Sequence, residues 1–317
     1  MRLFSYKILS LLTIFSAISC VREYPKGEEV DPTNIETTIH LYTRPEFTHS
    51  SFAARRENSC MYFIVEIYKD KIEGTPIIRR ELGVHKHTDG SSSLELKEKL
   101  HAGYYKVIAW AVCTENIDGT GCLFSLTDLS RIEYQEDYTG CTDKKECYST
   151  QFDMDLSTDE WYATAEFSKE MLCPMGSVEI ITTDLREFIN QTGIPDEYHL
   201  KWNYGLYFPI GYNAFTALPN KAETQVSFKS TIVPRSESEA SLGFDYIFVN
   251  GQESQVSVTL TLYDKNNKLT NIYSDIKVQL ERGKTTVIRG EFLTNRKDSG
   301  IEIDPDFDGN INIVLPD

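Results

Sequence analysis

The sequence is poor in basic residues and has no long hydrophobic segment. Its 317 residues include 32 Lys and Arg against 48 Asp and Glu, a net charge of −16. Binding to nucleic acid depends on basic contacts to phosphate, and binding to an anionic lipid surface depends on a polybasic patch. The acidic balance therefore argues against both kinds of partner. The apolar run from Ile8 to Phe15 is far shorter than the ~20 residues of a membrane-spanning helix.

Motifs for catalysis and cofactor binding are also absent from the sequence. It contains no GxSxG nucleophile motif, no HExxH zinc motif and no phosphate-binding loop. The cysteine spacings do not fit a CxxC zinc site. His85 and His87 would share one face of an extended segment, which leaves a metal pair open, but a solvated turn is the favoured interpretation. We therefore expect a protein that is not an enzyme and carries no cofactor.

The N-terminus has the anatomy of an export signal. Arg2 and Lys7 precede an apolar run, and small residues follow it. The segment ends in Cys20, which resembles the lipidated cysteine of a bacterial lipobox. The prediction is a lipoprotein signal peptide over residues 1–19 and a lipidated N-terminus, palmitate included, with a flexible linker over residues 20–34. An ordinary cleaved signal followed by a stray cysteine is the alternative.

Six cysteines remain once Cys20 is set aside for lipid. An even number of cysteines in an exported chain indicates disulfide bonds. One scheme closes two short loops and leaves one long-range bridge, but six cysteines allow fifteen pairings, so the connectivity stays open. In that scheme the candidates pair as Cys113 with Cys122, Cys141 with Cys147, and Cys60 with Cys173.

Alternating apolar and polar residues predict an all-β chain. Many short strands recur between turn residues, beginning with the alternation from Ile35 to Leu41. One short helix is expected from Asp184 to Gln191, with Asp184 as its cap and Leu185, Phe188 and Ile189 on one face. The architecture predicted is two tandem β-sandwich domains, one over residues 35–172 with cysteine-rich loops and one over residues 173–317.

Two pairings of neighbouring strands are also predicted. Asn250-Gly251 is the best hairpin turn signal in the chain, between strands at Phe244–Val249 and Gln255–Tyr263. The segments Ile272–Leu280 and Thr285–Leu293 are expected to form a last pair.

Four segments resemble the fimbrial anchor and minor-subunit lipoproteins of the Bacteroidales, the FimB-type and fimbrillin-like family. They are the lipobox with its charged linker, LHAGYYKVIAWA at 100–111, MGSVEI at 175–180 and VQLERGKTTVIRG at 278–290. The resemblance implies transthyretin-like or Ig-like sandwiches in an outer-membrane, surface-exposed lipoprotein. It also implies a fimbrial anchor or minor subunit that exchanges β-strands with partner subunits during pilus assembly. The segment Ile301 to Leu315 is the candidate strand.

Two further patterns leave alternatives open. The stretch WNYGLYFPIGYNAF at 202–215 is rich in aromatic residues, which favours a packed core but also allows a surface glycan-binding lipoprotein. Asp304, Asp306 and Asp308 precede Gly309 as in the opening of a calcium loop. The twelfth loop position holds Leu315 instead of Glu, so a β-turn is favoured and the calcium site is a weak candidate.

Overall fold

The computed structural model describes residues 34–45, 47, 60–135, 137–158, 163–192 and 194–294, and the backbone alone of residues 310–314. This part of the chain is almost entirely β-structure, which confirms the predicted fold class. The first nine strands are β1 Asn34–Thr43, β2 Cys60–Lys69, β3 Ile78–His85, β4 Ser92–His101, β5 Tyr104–Thr114, β6 Phe124–Ser125, β7 Ile132–Tyr134, β8 Cys147–Asp155 and β9 Thr164–Met171.

The remaining strands follow after a short link. They are β10 Met175–Thr182, β11 His199–Tyr204, β12 Phe208–Asn213, β13 Leu218–Glu223, β14 Ser227–Thr231, β15 Val233–Pro234, β16 Ala240–Phe248, β17 Glu253–Tyr263, β18 Leu269–Glu281, β19 Thr285–Gly290 and β20 Asn310–Val314. The one α-helix described, α1, spans Leu185–Thr192, and short 3-10 turns span Asp143–Lys145 and Pro195–Glu197.

The first sandwich packs the sheet β4-β1-β9 against the sheet β3-β2-β5-β8. Alternate residues of β1, including Ile39 and Leu41, are fully buried, while their neighbours face solvent. Phe152 of β8 lies 6.4 Å from Phe167 of β9, ring centre to ring centre, and so joins the two sheets. In contrast, β2 and β5 are buried on both faces, so the sheet that contains them must also be covered from its other side.

A small sheet with the order β13-β12-β7-β6 covers that other side. Trp110 of β5 is fully buried there and lies 5.5 Å from the ring of Tyr212 of β12. Strands β12 and β13 follow residue 173 in the chain, whereas β6 and β7 precede it. The division at residues 172 and 173 stays a prediction, and the described contacts cross it extensively.

The second sandwich packs the sheet β15-β16-β10-β19-β20 against the sheet β14-β11-β17-β18. Trp202 of β11 is fully buried, and its indole N–H donates to the Ser230 hydroxyl at 3.0 Å and to the Leu242 carbonyl at 3.3 Å. Strand β16 is buried along its whole length. Leu242 and Ile247 lie in the second core. Phe244, Tyr246 and Phe248 lie in the first, so β16 belongs to both cores.

The predicted helix is confirmed, with one difference in the residues that it buries. Leu185 and Phe188 are buried as expected, but Ile189 is exposed. The Asp184 carboxylate accepts hydrogen bonds from the backbone N–H groups of Leu293 and Thr294, at 3.1 and 2.7 Å. Its side chain therefore fixes the chain that leaves β19, which a helix-capping pattern does not reveal.

Both predicted strand pairings are wrong. Gly251 has a φ of +86°, which confirms a turn at Asn250-Gly251. However, β16 before this turn pairs with β10, and β17 after it pairs with β11 in the opposite sheet. Likewise β18 pairs with β17, whereas β19 pairs in parallel with β10. Each turn carries the chain from one sheet of the sandwich to the other, because the two sheets need those strands as separate walls of one core.

Candidate functional site

Two residue-level predictions from the sequence lie outside the described residues. Cys20, the predicted lipid site, belongs to the undescribed N-terminal segment. Asp304, Asp306 and Asp308, the weak calcium candidates, also lie outside the described residues. Both predictions therefore stand on the sequence alone.

The six remaining cysteines are all described, and none of them forms a disulfide bond in this structure. Burial raises the pKa of the Cys122 thiol to about 11, with a smaller contribution from nearby Cys113. Burial also raises the pKa of Cys141 to about 11. Cys60 lies across from His85, whose Nδ1 is 3.5 Å from the cysteine Sγ. The predicted pairings, including those of Cys147 and Cys173, stay predictions.

The aromatic stretch at 202–215 fills the cores. Trp202, Tyr204, Phe208 and Tyr212 are all buried. Tyr207 is the exception, because 77% of its surface is exposed. The packed-core interpretation of this stretch is therefore correct for the alternating rings. A row of exposed rings, which a flat glycan platform would need, is not formed by these residues.

A buried ion pair joins the two halves of the molecule. Lys145 follows the loops after β7, Asp245 lies in the middle of β16, and both side chains are fully buried. The Lys145 Nζ lies 2.5 Å from Asp245 Oδ1 and 3.6 Å from the centre of the Tyr138 ring. Asp245 Oδ2 accepts hydrogen bonds of 2.6 Å from the hydroxyls of Tyr138 and Tyr204, which satisfies the rest of the carboxylate.

Burial dominates the titration of this network. It lowers the pKa of Lys145, although the attraction of Asp245 opposes that change. Burial and the Asp245 charge together raise the pKa values of Tyr134, Tyr138 and Tyr204 well above the ordinary value for tyrosine. These groups lie at the junction of the two cores, so the network joins the two sandwiches.

A surface pocket lies between the turn that joins β11 to β12 and the middle of β18. We call it the Tyr207 pocket. It has a volume of about 360 Å³, and its lining includes Leu206, Tyr207, Gln255, Ser257, Asp275 and Lys277. Seven non-glycine residues of the described chain have positive φ angles. Two of them, Tyr207 and Asp275, line this pocket, each with a φ of +60°.

A larger open groove of about 540 Å³ crosses the outward face of β4-β1-β9. Its charged side chains all lie in ion pairs. Lys99 lies 3.6 Å from Glu36, and Lys97 lies 2.7 Å from Glu95 of the same strand. Glu166 lies 3.1 Å from His40 of β1, and Glu98 lies 2.6 Å from Arg80 of β3. Solvated pairs of this kind contribute about 0–1 kcal/mol each. The groove is therefore an ordinary hydrated sheet face.

The edge of the second sandwich is closed by the chain's own C-terminal segment. Strand β20 pairs in parallel with β19, with Thr285 opposite Asn310 and Arg289 opposite Val314. The opposite edge of the same sheet is β15, which has two residues and includes Pro234. Proline has no N–H to donate, so that edge is blunted. The β19 edge is thus the end of the sheet at which a strand can be added or replaced.

Residues 27–316 match the family of unknown function DUF6562. The chain belongs to this family. The match covers nearly the whole sequence, so both sandwiches of this DUF6562 protein lie within the family. No curated protein matches the chain.

Several solved structures are similar to this DUF6562 protein at low identity. A candidate adhesin from Bacteroides ovatus has 12% identity and a TM-score of 0.46, over 76% of this chain and 78% of that one. The fimbrial anchor protein Mfa2 from Porphyromonas gingivalis has 11% identity and a TM-score of 0.39, over 76% and 82%. A fimbrial assembly protein from Parabacteroides distasonis has 11% identity and a TM-score of 0.40, over 81% and 91%. These values are too low to transfer a function, and the FimB-type resemblance stays a prediction.

The described residues contain neither a membrane-spanning helix nor a cluster of metal ligands. None of the helices in this part of the DUF6562 chain is long and apolar enough to cross a membrane. Nor do any three His, Cys, Asp or Glu side chains in the same residues form a group that could hold a metal ion. His85 and His87, the conceivable metal pair, have separate neighbours: His87 Nε2 lies 3.4 Å from the Ser93 hydroxyl.

The sequence did not single out Lys145, Asp245, Tyr207 or Asp275. For Asp245 a signal was present, since a carboxylate within the apolar run GFDYIF must be buried and therefore needs partners. Lys145 lies in the charged run DKKE and is indistinguishable there from its exposed neighbour. Tyr207 belongs to a stretch whose other rings are buried or partly buried, and only the folded turn separates it from them.

Proposed function

We propose that this protein is a non-enzymatic surface lipoprotein of the outer membrane that connects fimbrial subunits by β-strand exchange. The observation that carries the proposal is the pairing of β20 with β19 at the edge of a sheet in the second sandwich. A strand at a sheet edge presents a row of backbone N–H and C=O groups, and such a row is a template for a strand from another chain.

The geometry of β20 suits replacement by a partner's strand. It has only five residues, and it begins at Asn310, whereas β19 ends at Gly290, so the two strands are well separated in the sequence. It lies at the edge of the sheet, so its removal breaks the pairing to one neighbour only. Parallel pairing is also slightly less stable per residue than antiparallel pairing. A longer strand from a partner subunit would gain the same backbone hydrogen bonds and extend them.

Removal of the C-terminal segment should create a vacant strand site. We expect a chain that ends at Thr294 to bind a synthetic peptide of residues 306–317 in a one-to-one complex, because the peptide restores the β19 pairing. Native mass spectrometry of the truncated chain with and without peptide measures this. The full chain should bind the peptide much more weakly, since its own β20 occupies the edge.

A matched peptide separates strand pairing from non-specific binding. Successive residues of a strand direct their N–H groups to opposite sides, so Ile311→Pro with Asn312→Pro removes whichever donor faces β19. This double-proline peptide should fail to bind the truncated chain. If both peptides bind equally, or if neither binds, the strand-exchange part of the proposal is wrong.

Lipidation at Cys20 is the second testable part of the proposal. The chain is acidic and has no basic patch in its sequence, so lipid is the only route to the membrane that the sequence indicates. We expect Cys20→Ala to move the protein from the membrane fraction to the soluble fraction after cell lysis. Ser19→Ala keeps a small residue before the cysteine and should leave the protein in the membrane fraction. Continued membrane retention of Cys20→Ala would contradict the proposal.

A further inference from the structure

The Tyr207 pocket presents the two most exposed large apolar side chains of the described residues. The exposed fractions are 76% for Leu206 and 77% for Tyr207. Such side chains are normally turned inward when the turn allows it. Here the chain holds Tyr207 outward through a left-handed backbone conformation, which L-residues other than Asn, Asp and Gly adopt rarely. Strained residues of this kind concentrate at ligand-binding positions.

The base of the turn is rigid, so this exposure is built into the fold. The rings of Tyr204 and Phe208 stack at 3.9 Å on either side of the turn. The Tyr204 hydroxyl is held by Asp245 in the buried network. Gly205 donates its N–H to the Ser257 carbonyl at 2.8 Å, and a Cβ at this glycine would lie 3.2 Å from Ser257 Cβ. These contacts hold the backbone on both sides of Leu206 and Tyr207, next to the neighbouring strand β17.

The opposite wall of the pocket is polar and equally well held. Asp275 lies at a β-bulge of β18, where its carboxylate Oδ1 accepts a 2.6 Å hydrogen bond from the Ser257 hydroxyl and a second one from Lys277. These two hydrogen bonds hold the pKa of Asp275 below its usual value, and the bond from Lys277 has the larger effect. Among the described residues, both hydrogen bonds to the Asp275 carboxylate are made to Oδ1 and none to Oδ2. The carboxylate is thus ionised, oriented, and has one oxygen available to accept.

We propose that the Tyr207 pocket binds a ring of a neutral pyranose sugar, a role separate from strand exchange. A pyranose has one face of C–H groups, which suits the electron-rich face of a tyrosine ring. Its rim carries adjacent hydroxyls, which donate to a carboxylate oxygen and accept from the ammonium of Lys277. The protein's net charge of −16 disfavours an anionic sugar. The volume of about 360 Å³ is within the range of small-molecule sites.

Protection of the sheet edge explains only half of this arrangement. A bulge and a lysine on β18 keep an edge strand from pairing with another chain, and Asp275 and Lys277 supply both. That role gives no reason for an exposed Leu206 and Tyr207 on a different turn, facing the bulge across a pocket. Sugar binding accounts for both walls.

The test uses the full chain on an array of neutral oligosaccharides that contain galactose, glucose, mannose, fucose, N-acetylglucosamine and N-acetylgalactosamine. The best binder is then titrated by calorimetry against variants. Tyr207→Asn removes the ring, and Asp275→Asn removes the charge, while Asn tolerates the left-handed conformation at both positions. Each variant should weaken binding by about tenfold or more, which corresponds to the loss of one stacking contact or one charged hydrogen bond.

The control is Tyr104→Ala, which removes a tyrosine that is 58% exposed on β5 of the first sandwich. It should bind the sugar as the unchanged chain does. Thermal unfolding temperatures should agree among all the variants, which shows that the pocket variants remain folded. Absence of binding on the array by the full chain, or binding by either pocket variant that is as strong as that of the unchanged chain, would overturn the proposal.

Discussion

Lys145→Met should destabilise the protein by about 3–5 kcal/mol, because it leaves a buried carboxylate without its cation. Asp245 has no exposed surface, and its remaining partners are neutral donors. Loss of the lysine also removes the cation–π contact with Tyr138. The free energy of unfolding, measured by urea titration with tryptophan fluorescence, gives the effect directly.

The neighbouring lysine provides a matched control. Lys144 pairs with Glu115, but both side chains are about half exposed. Lys144→Met should therefore change stability by no more than about 1 kcal/mol. The double variant Lys145→Met with Asp245→Asn should be more stable than Lys145→Met alone, since the unpaired charge is gone. A cost below about 1 kcal/mol for Lys145→Met would show that the pair does not fasten the two sandwiches.

Alkaline pH should unfold the protein steeply. In the folded state the pKa values of Tyr134, Tyr138 and Tyr204 are raised well above 10. The stability that these groups contribute is fully present below the unfolded pKa of about 10 and is lost as the pH rises above it. Once these tyrosines are deprotonated in the unfolded chain, the three protons released on unfolding lower the stability by about 4 kcal/mol per pH unit. Urea titrations between pH 9 and 11.5 measure this slope.

Lys145 has the opposite effect on the pH dependence of stability, and it acts over a different pH range. Its folded pKa is lowered, so between that value and about 10.5 the unfolded chain binds more protons and stability rises with pH. Above about 10.5 it contributes nothing to the slope, and only groups with raised pKa values remain. Tyr204→Phe should reduce the slope there by about 1.4 kcal/mol per pH unit, because one proton fewer is released on unfolding.

The local signals in the sequence predicted where strands and the helix lie better than they predicted which strands pair. The alternation from Ile35 to Leu41 became β1, and the helix was found within one residue of its observed bounds. Gly103, with a φ of +154°, lies between the end of β4 and the start of β5. The two predicted pairings, β16 with β17 and β18 with β19, are wrong. The sequence could not reveal this, because a turn has the same local chemistry whether it joins two paired strands or two strands of opposite sheets.

The sequence by itself determined the all-β class and the acidic balance of the chain, because each depends on composition or on short-range periodicity. The export signal with Cys20 stays a prediction from the sequence. The sequence also indicated that most rings between 202 and 215 belong to a core. Only the tertiary structure decided which ring stays outside, namely Tyr207, and which lysine is buried, namely Lys145. Burial and charge pairing depend on which strands meet across the sheets, and a local sequence pattern does not specify this. Strand β16 is the example, because its residues lie in both cores.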